Sequence, residues 1–169
     1  MSYWFLPQGL ILSIALAAAS FAQASTFEKL SFDRLIGDAD VIVKGRVEEL
    51  KTRQAADRGS ATTVITVSVA SQFKGGKVSS VAIEQPGGPM GEVVQGVPGL
   101  PEFSPGEEVI VFLKRQRSGA YTVVGGRQGK FSAKTLPGSN QEIAEDYAHR
   151  TETLDSFLDR LAKTVKQGS

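Results

Sequence analysis

The chain contains no cysteine, a single histidine and a single tryptophan in 169 residues, and its charges nearly cancel. Each scarcity removes a class of function. Without cysteine there is no disulfide, no thiol nucleophile and no thiolate metal ligand, so an exported form must be held by its core alone. With only His149, the usual zinc ligand sets cannot be assembled within the chain, and neither a metal nor a cofactor is expected. His149 sits in the charged stretch EDYAHRTE and reads as a solvated helix or loop residue. The 19 basic and 18 acidic side chains leave a net charge of +1, which offers no electrostatic capture of nucleic acid or anionic lipid. Basic and aromatic residues are not interleaved in the manner of single-strand binders. No apolar run reaches the roughly 20 residues that span a bilayer.

Catalytic motifs are missing as well. There is no GxSxG elbow and no HExxH pair, so an enzyme is not expected, and a serine hydrolase using His149 is the minor alternative. Gly125-Gly126-Arg127-Gln128-Gly129-Lys130-Phe131 superficially resembles a phosphate loop. It fails because Val124 holds the first glycine position and Phe131 replaces Ser/Thr, and it reads instead as a glycine bend within a hairpin. Glu107 and Glu108 are strand neighbours facing opposite ways, so they cannot serve one substrate together.

What is present begins with an export pattern. Leu10–Ala19 is an uncharged apolar run, followed by Ala22-Gln23-Ala24, a small-x-small cleavage signature. Residues 1–24 read as a signal peptide cut after Ala24, which releases Ser25–Ser169 to the periplasm or medium with no stable membrane insertion. The n-region carries no Lys or Arg, and a retained anchor is the alternative.

Downstream, patterning predicts a mainly β domain over 25–138 and a helical segment over 139–169. Apolar spacing in Phe27–Gly37, with Ser31 as cap, predicts a short helix or turn. Val41–Leu50 alternates as a strand in which Gly45 marks a bulge or sharp bend. Lys51–Ser60 reads as a loop, and Ala61–Phe73 is rich in β-branched residues and reads as a long strand. A turn at 74–77 leads into a strand over Val78–Glu84. Residues 85–106 hold five of the seven prolines and six of the eighteen glycines, a density suited to a long loop. Strands are expected at Glu107–Lys114, Ala120–Gly125 and Gly129–Lys134, and the sheet is expected to end at Pro137-Gly138-Ser139. Leu154, Phe157, Leu158, Leu161 and Val165 recur at helical spacing behind a Thr151 or Thr153 cap, giving an apolar stripe that needs a surface. Five or six strands and one helix in a chain of this size predict a small antiparallel OB-like barrel with the C-terminal α-helix packed on it, because closure removes exposed edges. An open sandwich is the other architecture of this size.

Two stretches carry a family likeness. Ala39-Asp40-Val41-Ile42-Val43-Lys44-Gly45-Arg46-Val47 resembles the first barrel strand of the netrin-like and tissue-inhibitor-of-metalloproteinases family, and Gln72-Phe73-Lys74-Gly75 resembles the Phe-Lys-Gly end of that family's second strand. The resemblance implies an OB-fold and a metalloprotease as partner. On it, the freed α-amine and carbonyl of Ser25 would chelate the protease zinc, and Thr26 would enter the specificity pocket. The family's Cys-x-Cys is replaced here by Ser25-Thr26-Phe27.

The expected function is therefore a secreted binding module for an extracellular or periplasmic protein. Its candidate contacts are Ser25, Thr26 and Phe27, with Met90, Val93, Val94, Leu100 and Phe103 of the Pro/Gly loop. The same loop residues could instead fold back as satellite core. A small-ligand or glycan module using the open barrel face is the alternative function.

Overall fold

The computed structural model describes residues 28–54, 60–90 and 93–168. Residues 1–24, with their expected signal peptide, and Ser25, Thr26 and Phe27 lie outside that set.

Two long strands, β1 (Val41–Gln54) and β2 (Ala61–Lys74), pair antiparallel and pass into β3 (Ser80–Pro86). After the Pro/Gly segment come β6 (Glu108–Arg115) and β7 (Tyr121–Val123). The order β1-β2-β3-β7-β6 closes on itself because β6 also pairs with β1, from Val41 opposite Leu113 to Arg46 opposite Glu108. The result is a closed five-stranded OB-like barrel. Its β3–β7 seam is parallel, with Ile83 opposite Tyr121, and every other barrel seam is antiparallel.

Strand alternation fills the barrel. Val41, Val43, Val47, Ile65, Val67, Val81, Ile83, Val109, Val111 and Leu113 form one buried cluster. Gly45 falls in this inward series at a register shift in β1, as its position in the alternation predicts. A methyl group there would run into the Ser68 carbonyl, so the β1–β2 approach requires glycine.

The free edge of β6 forks. Its C-terminal half pairs with β7, and its N-terminal half, Glu108–Val111, pairs with β8 (Lys130–Thr135). The sheet then runs outward through β9 (Glu142–Glu145) and β10 (Thr151–Thr153). This wing corrects the expectation that the sheet ends at 137–139 and that a helical segment follows directly. Pro137-Gly138 turns the chain back instead, bringing Ile143 opposite Lys134. Strands of four and three residues are too short to show a period. Other bounds shift less: β1 runs on to Gln54, into the expected loop, and β3 begins at Ser80.

Two helices cover the outer wall. In α1 (Phe32–Asp38) the Ser31 hydroxyl accepts the Arg34 N–H, and in α2 (Leu154–Gln167) the Thr153 hydroxyl accepts the Ser156 N–H. Leu35, Ile36, Leu154, Phe157 and Leu161 pack with Ile42, Ile110 and Phe112, forming a second core outside the barrel. The predicted α2 stripe thus covers the barrel and its wing.

Candidate functional site

The Pro/Gly segment is pinned at three points. Near its start the Gly87 N–H donates to Ala61 and its carbonyl accepts the Thr63 hydroxyl. Within it lies a small hairpin, β4 (Gly88–Met90) with β5 (Val93–Gln95). At its end the Gly106 N–H donates to Val47, 2.7 Å away. Between these, the Arg127 N–H donates to the Gly99 carbonyl at 2.9 Å. That last bond ties the loop to a 3-10 turn, Gly126–Gly129, which sits where the sheet forks. Gly126 has φ 58°, and a methyl there would strike the Gly99 carbonyl.

The same turn holds the N-terminal segment. Gln128 is buried, its Oε1 accepts the Leu30 N–H at 2.9 Å, and its Nε2 donates to the Glu28 carbonyl at 2.9 Å. One side-chain amide thereby satisfies a donor and an acceptor on the main chain, as a strand partner would. Residues 28–30 and the Pro/Gly loop therefore converge on one four-residue turn.

A second network secures the loop beyond Gly99. Lys130 Nζ donates to the Glu102 carbonyl and to Glu107, both at 2.6 Å. Glu107 also accepts the Ser132 hydroxyl at 2.6 Å and the Ser104 N–H at 3.2 Å. Phe103, with Lys130 Nζ 5.1 Å from its ring centroid, is buried in the barrel core.

Phe103 is thus a plug rather than an exposed contact, which corrects its expected docking role. A ring in a loop rich in turn residues satisfies either reading of the sequence. Leu100 is half-buried at the loop surface, and Val97 beside it is exposed. The backbone of Met90, Val93 and Val94 forms the β4–β5 hairpin, and their side chains lie outside the described set. Ser25, Thr26 and Phe27 also lie outside it.

Two concavities flank the 3-10 turn and share Asp146 and Tyr147. One, of about 350 Å³, lies beside the N-terminal segment, with Leu30, Gln128 and Arg160 among its walls. The other, of about 440 Å³, runs between Leu100 and Pro101 of the loop and the turn that joins β9 to β10. That turn is built around Asp146, whose carboxylate accepts the N–H groups of Ala148 and Arg150 and the Arg150 guanidinium. Burial pushes the Asp146 carboxyl up, but these donors outweigh it and hold the group below the usual aspartate range. Lys134, then His149, hold Glu145 low in the same way. His149 lies on this turn at φ 58°, with a mostly exposed ring and Nδ1 2.6 Å from Glu145.

At the end of α1, Ala39 is its C-cap and is buried. The Asp40 carboxylate there accepts the Arg115 N–H at 2.8 Å and Lys114 Nζ at 2.9 Å, and these hold it low. Among the described residues, no group of three or more His, Asp or Glu could hold a metal ion.

Sequence reasoning missed Gln128, Arg127 and Tyr147. The Gly125-Gly126 pair was their one local signal, and it was legible only as a bend. No protein-family model matches the chain, and no curated protein matches it.

Proposed function

We propose that this chain is an exported, non-enzymatic binding module. It docks an extracellular or periplasmic protein with the barrel end where its N-terminal segment meets the Pro/Gly loop. The observation that carries this reading is the Gln128 clamp on Glu28 and Leu30, beside the Arg127 bond to Gly99. An unpinned terminus and a free loop would each impose an ordering cost on association, and these bonds reduce it. The exposed Val97 and the half-buried Leu100 lie on the same end and supply apolar contact. A glycan or small-ligand role on the open barrel face has less support. The outward residues of β2 and β3 there are Thr62, Val64, Thr66, Ser68, Ala82 and Glu84, with no aromatic ring to stack on a sugar or base.

Within this reading, the resemblance to the metalloproteinase inhibitors makes a zinc protease the partner and Ser25 the chelating terminus. Gln128 ties Glu28 and Leu30 to the same turn whose Arg127 holds Gly99 of the loop, a hydrogen-bonded link in a chain without disulfides. Export belongs to the same proposal and rests on the Leu10–Ala19 run and the Ala22-Gln23-Ala24 signature; among the described residues, no helix is long and apolar enough to cross a membrane.

Two measurements test it. A photo-crosslinker at Val97 is expected to give a discrete adduct in the exported fraction, whereas one at Arg117, on the turn at the opposite barrel end, gives none. Equal adducts from both positions would remove the docking surface. For the protease version, the chain beginning at Ser25 is expected to inhibit at least one enzyme in a zinc-protease panel and to lose inhibition when one residue is added ahead of Ser25. Inhibition that survives the extension sinks zinc chelation.

A further inference from the structure

The groove between the Pro/Gly loop and the β9–β10 turn has an uneven charge arrangement. Of the cations that line it, Lys130 pairs with Glu107 and Lys134 with Glu145, whose carboxylate also lies against the His149 ring. Arg127 is exposed and has no carboxylate partner among the described residues. Its guanidinium carbon instead lies 5.1 Å from the centroid of the Tyr147 ring.

Both members of this stack are held from behind. The Arg127 main chain is bonded to Gly99, and Gly125 and Gly126 ahead of it sit at φ 63° and 58°. Tyr147 rides on the turn that Asp146 caps through three donors. A guanidinium held over a ring gives up less rotational freedom on binding an acceptor than a free one does. Leu100 and Pro101 form the facing apolar wall.

The geometry points to Arg127, on its Tyr147 platform, as the recognition point for one carboxylate carried by an otherwise uncharged, apolar-flanked segment of the protein partner. The arrangement selects against polyanions. Glu107, Glu145 and Asp146 are each ion-paired, which leaves Glu102 against Arg127, so the groove offers a nucleic acid or sulfated glycan no net positive charge along its length. A lone acidic side chain fits the free guanidinium, and its apolar neighbours fit Leu100 and Pro101. This inference rests on the docking reading above and names the chemistry that docking surface reads.

The test uses the chain from Ser25 onward and a blocked tripeptide with one glutamate between two leucines. Its glutamine counterpart and inorganic sulfate serve as comparison probes. In a ¹⁵N NMR titration, the glutamate peptide is expected to shift Gly99, Leu100, Tyr147 and the Arg127 Nε–H, and the glutamine peptide at least tenfold less. Arg127→Gln should lower peptide affinity about tenfold with the remaining spectrum unchanged, and Arg127→Lys should lower it by less. Glu102→Gln should tighten binding about twofold by removing a facing negative charge. The inference is overturned by equal response to the two peptides, by no response at saturation, by an unaltered affinity in Arg127→Gln, or by sulfate binding as tightly as the glutamate peptide. The Val97 crosslink separates this from the broader reading. An adduct that persists in Arg127→Gln leaves docking intact and removes acid recognition, whereas an adduct missing from the unaltered chain removes docking while the titration still decides the groove.

Discussion

Inside the barrel the packing is aliphatic, and on its outer wall, beneath the helices, it is aromatic. The interior cluster is Val, Ile and Leu apart from Phe103 and Tyr121. A five-stranded barrel is narrow, so β-branched side chains fill it in layers and a ring fits best as a plug near an end. The outer cluster holds Phe32, Phe112, Phe131 and Phe157 in successive ring contacts of 4.7–5.8 Å. There a curved sheet meets two helices of different length, and large planar side chains fill the uneven gap. The two layers also differ in what holds them together. The barrel strands are bonded to each other around a closed ring, whereas α2 rests on the wing through side chains and its short link from β10. The barrel should therefore unfold as the cooperative unit, and the helical layer should open at lower cost.

Paired deletions test that contrast most directly. Phe157→Ala should lower stability by about 3–5 kcal/mol and Ile65→Ala by about 2–5 kcal/mol, since both side chains are fully buried. Urea unfolding measures the totals, and hydrogen exchange separates the mechanisms. Phe157→Ala should release the α2 amides while those of β1 and β2 keep their protection, and Ile65→Ala should lower both sets together. Uniform loss in both variants would make the molecule one cooperative unit and erase the distinction.

A backbone change in the ring comes next. Gly45→Ala forces a methyl against the Ser68 carbonyl at the β1 register shift and should cost about 1–3 kcal/mol. Because the strain falls on the β1–β2 ladder, it should reach every barrel amide. A neutral substitution would show that the barrel can flex at this seam, and the barrel would no longer be the stiffer layer.

These cases show where the sequence was legible. Gly45 interrupts an inward valine series, so the alternation that identifies the strand also locates its bulge. Five consecutive apolar residues, Val109–Leu113, mark β6 as a strand, and the structure buries all five by covering it on both faces. The α2 stripe was readable because helical spacing runs over four turns. The wing strands β9 and β10 were not, because EIAE and TET are too short and too polar to show a period. The candidate site was the least legible part. Gln128 meets main-chain partners 98 and 100 positions away, and no local pattern in the sequence encodes such a contact. The Pro/Gly segment was visible as a long loop by its composition alone. Whether Phe103 faced outward or plugged the barrel depended on closure, which only the assembled ring decides.

The Gln128 clamp offers a smaller perturbation. Gln128→Leu keeps most of the buried volume but leaves the Glu28 carbonyl and Leu30 N–H without their partner. Both sit near solvent, so the loss should be about 1 kcal/mol, at the low end for an unmet polar pair. Its signature should be local, with faster exchange at Leu30 and an unchanged barrel. Loss of barrel protection would mean that the N-terminal segment belongs to the cooperative unit.

The smallest expected effect is on acid stability, and it too divides the layers. Asp40, Glu145 and Asp146 are held below their ordinary values; Glu145 and Asp146 belong to the outer wing, whereas the more exposed Asp40 braces the barrel rim at the end of β6. A carboxyl whose folded pKa lies below its unfolded value, about 3.9 for aspartate and 4.3 for glutamate, contributes stability that is complete above the unfolded value. That contribution is lost as pH falls through the folded one. Acid should therefore weaken the outer layer first. Asp146 is the better shielded, with 11% of its side chain exposed against 40% for Asp40, so Asp146→Asn should flatten the stability profile below about pH 4 more than Asp40→Asn does. For Asp40, solvent screening leaves only a few tenths of a kcal/mol. Hydrogen exchange between pH 2 and 6 should show β9 and β10 losing protection before β1 and β2. If the barrel ladder opened first, the carboxylates of the outer layer would not be what acid acts on, and the barrel would hold the weaker of the two layers.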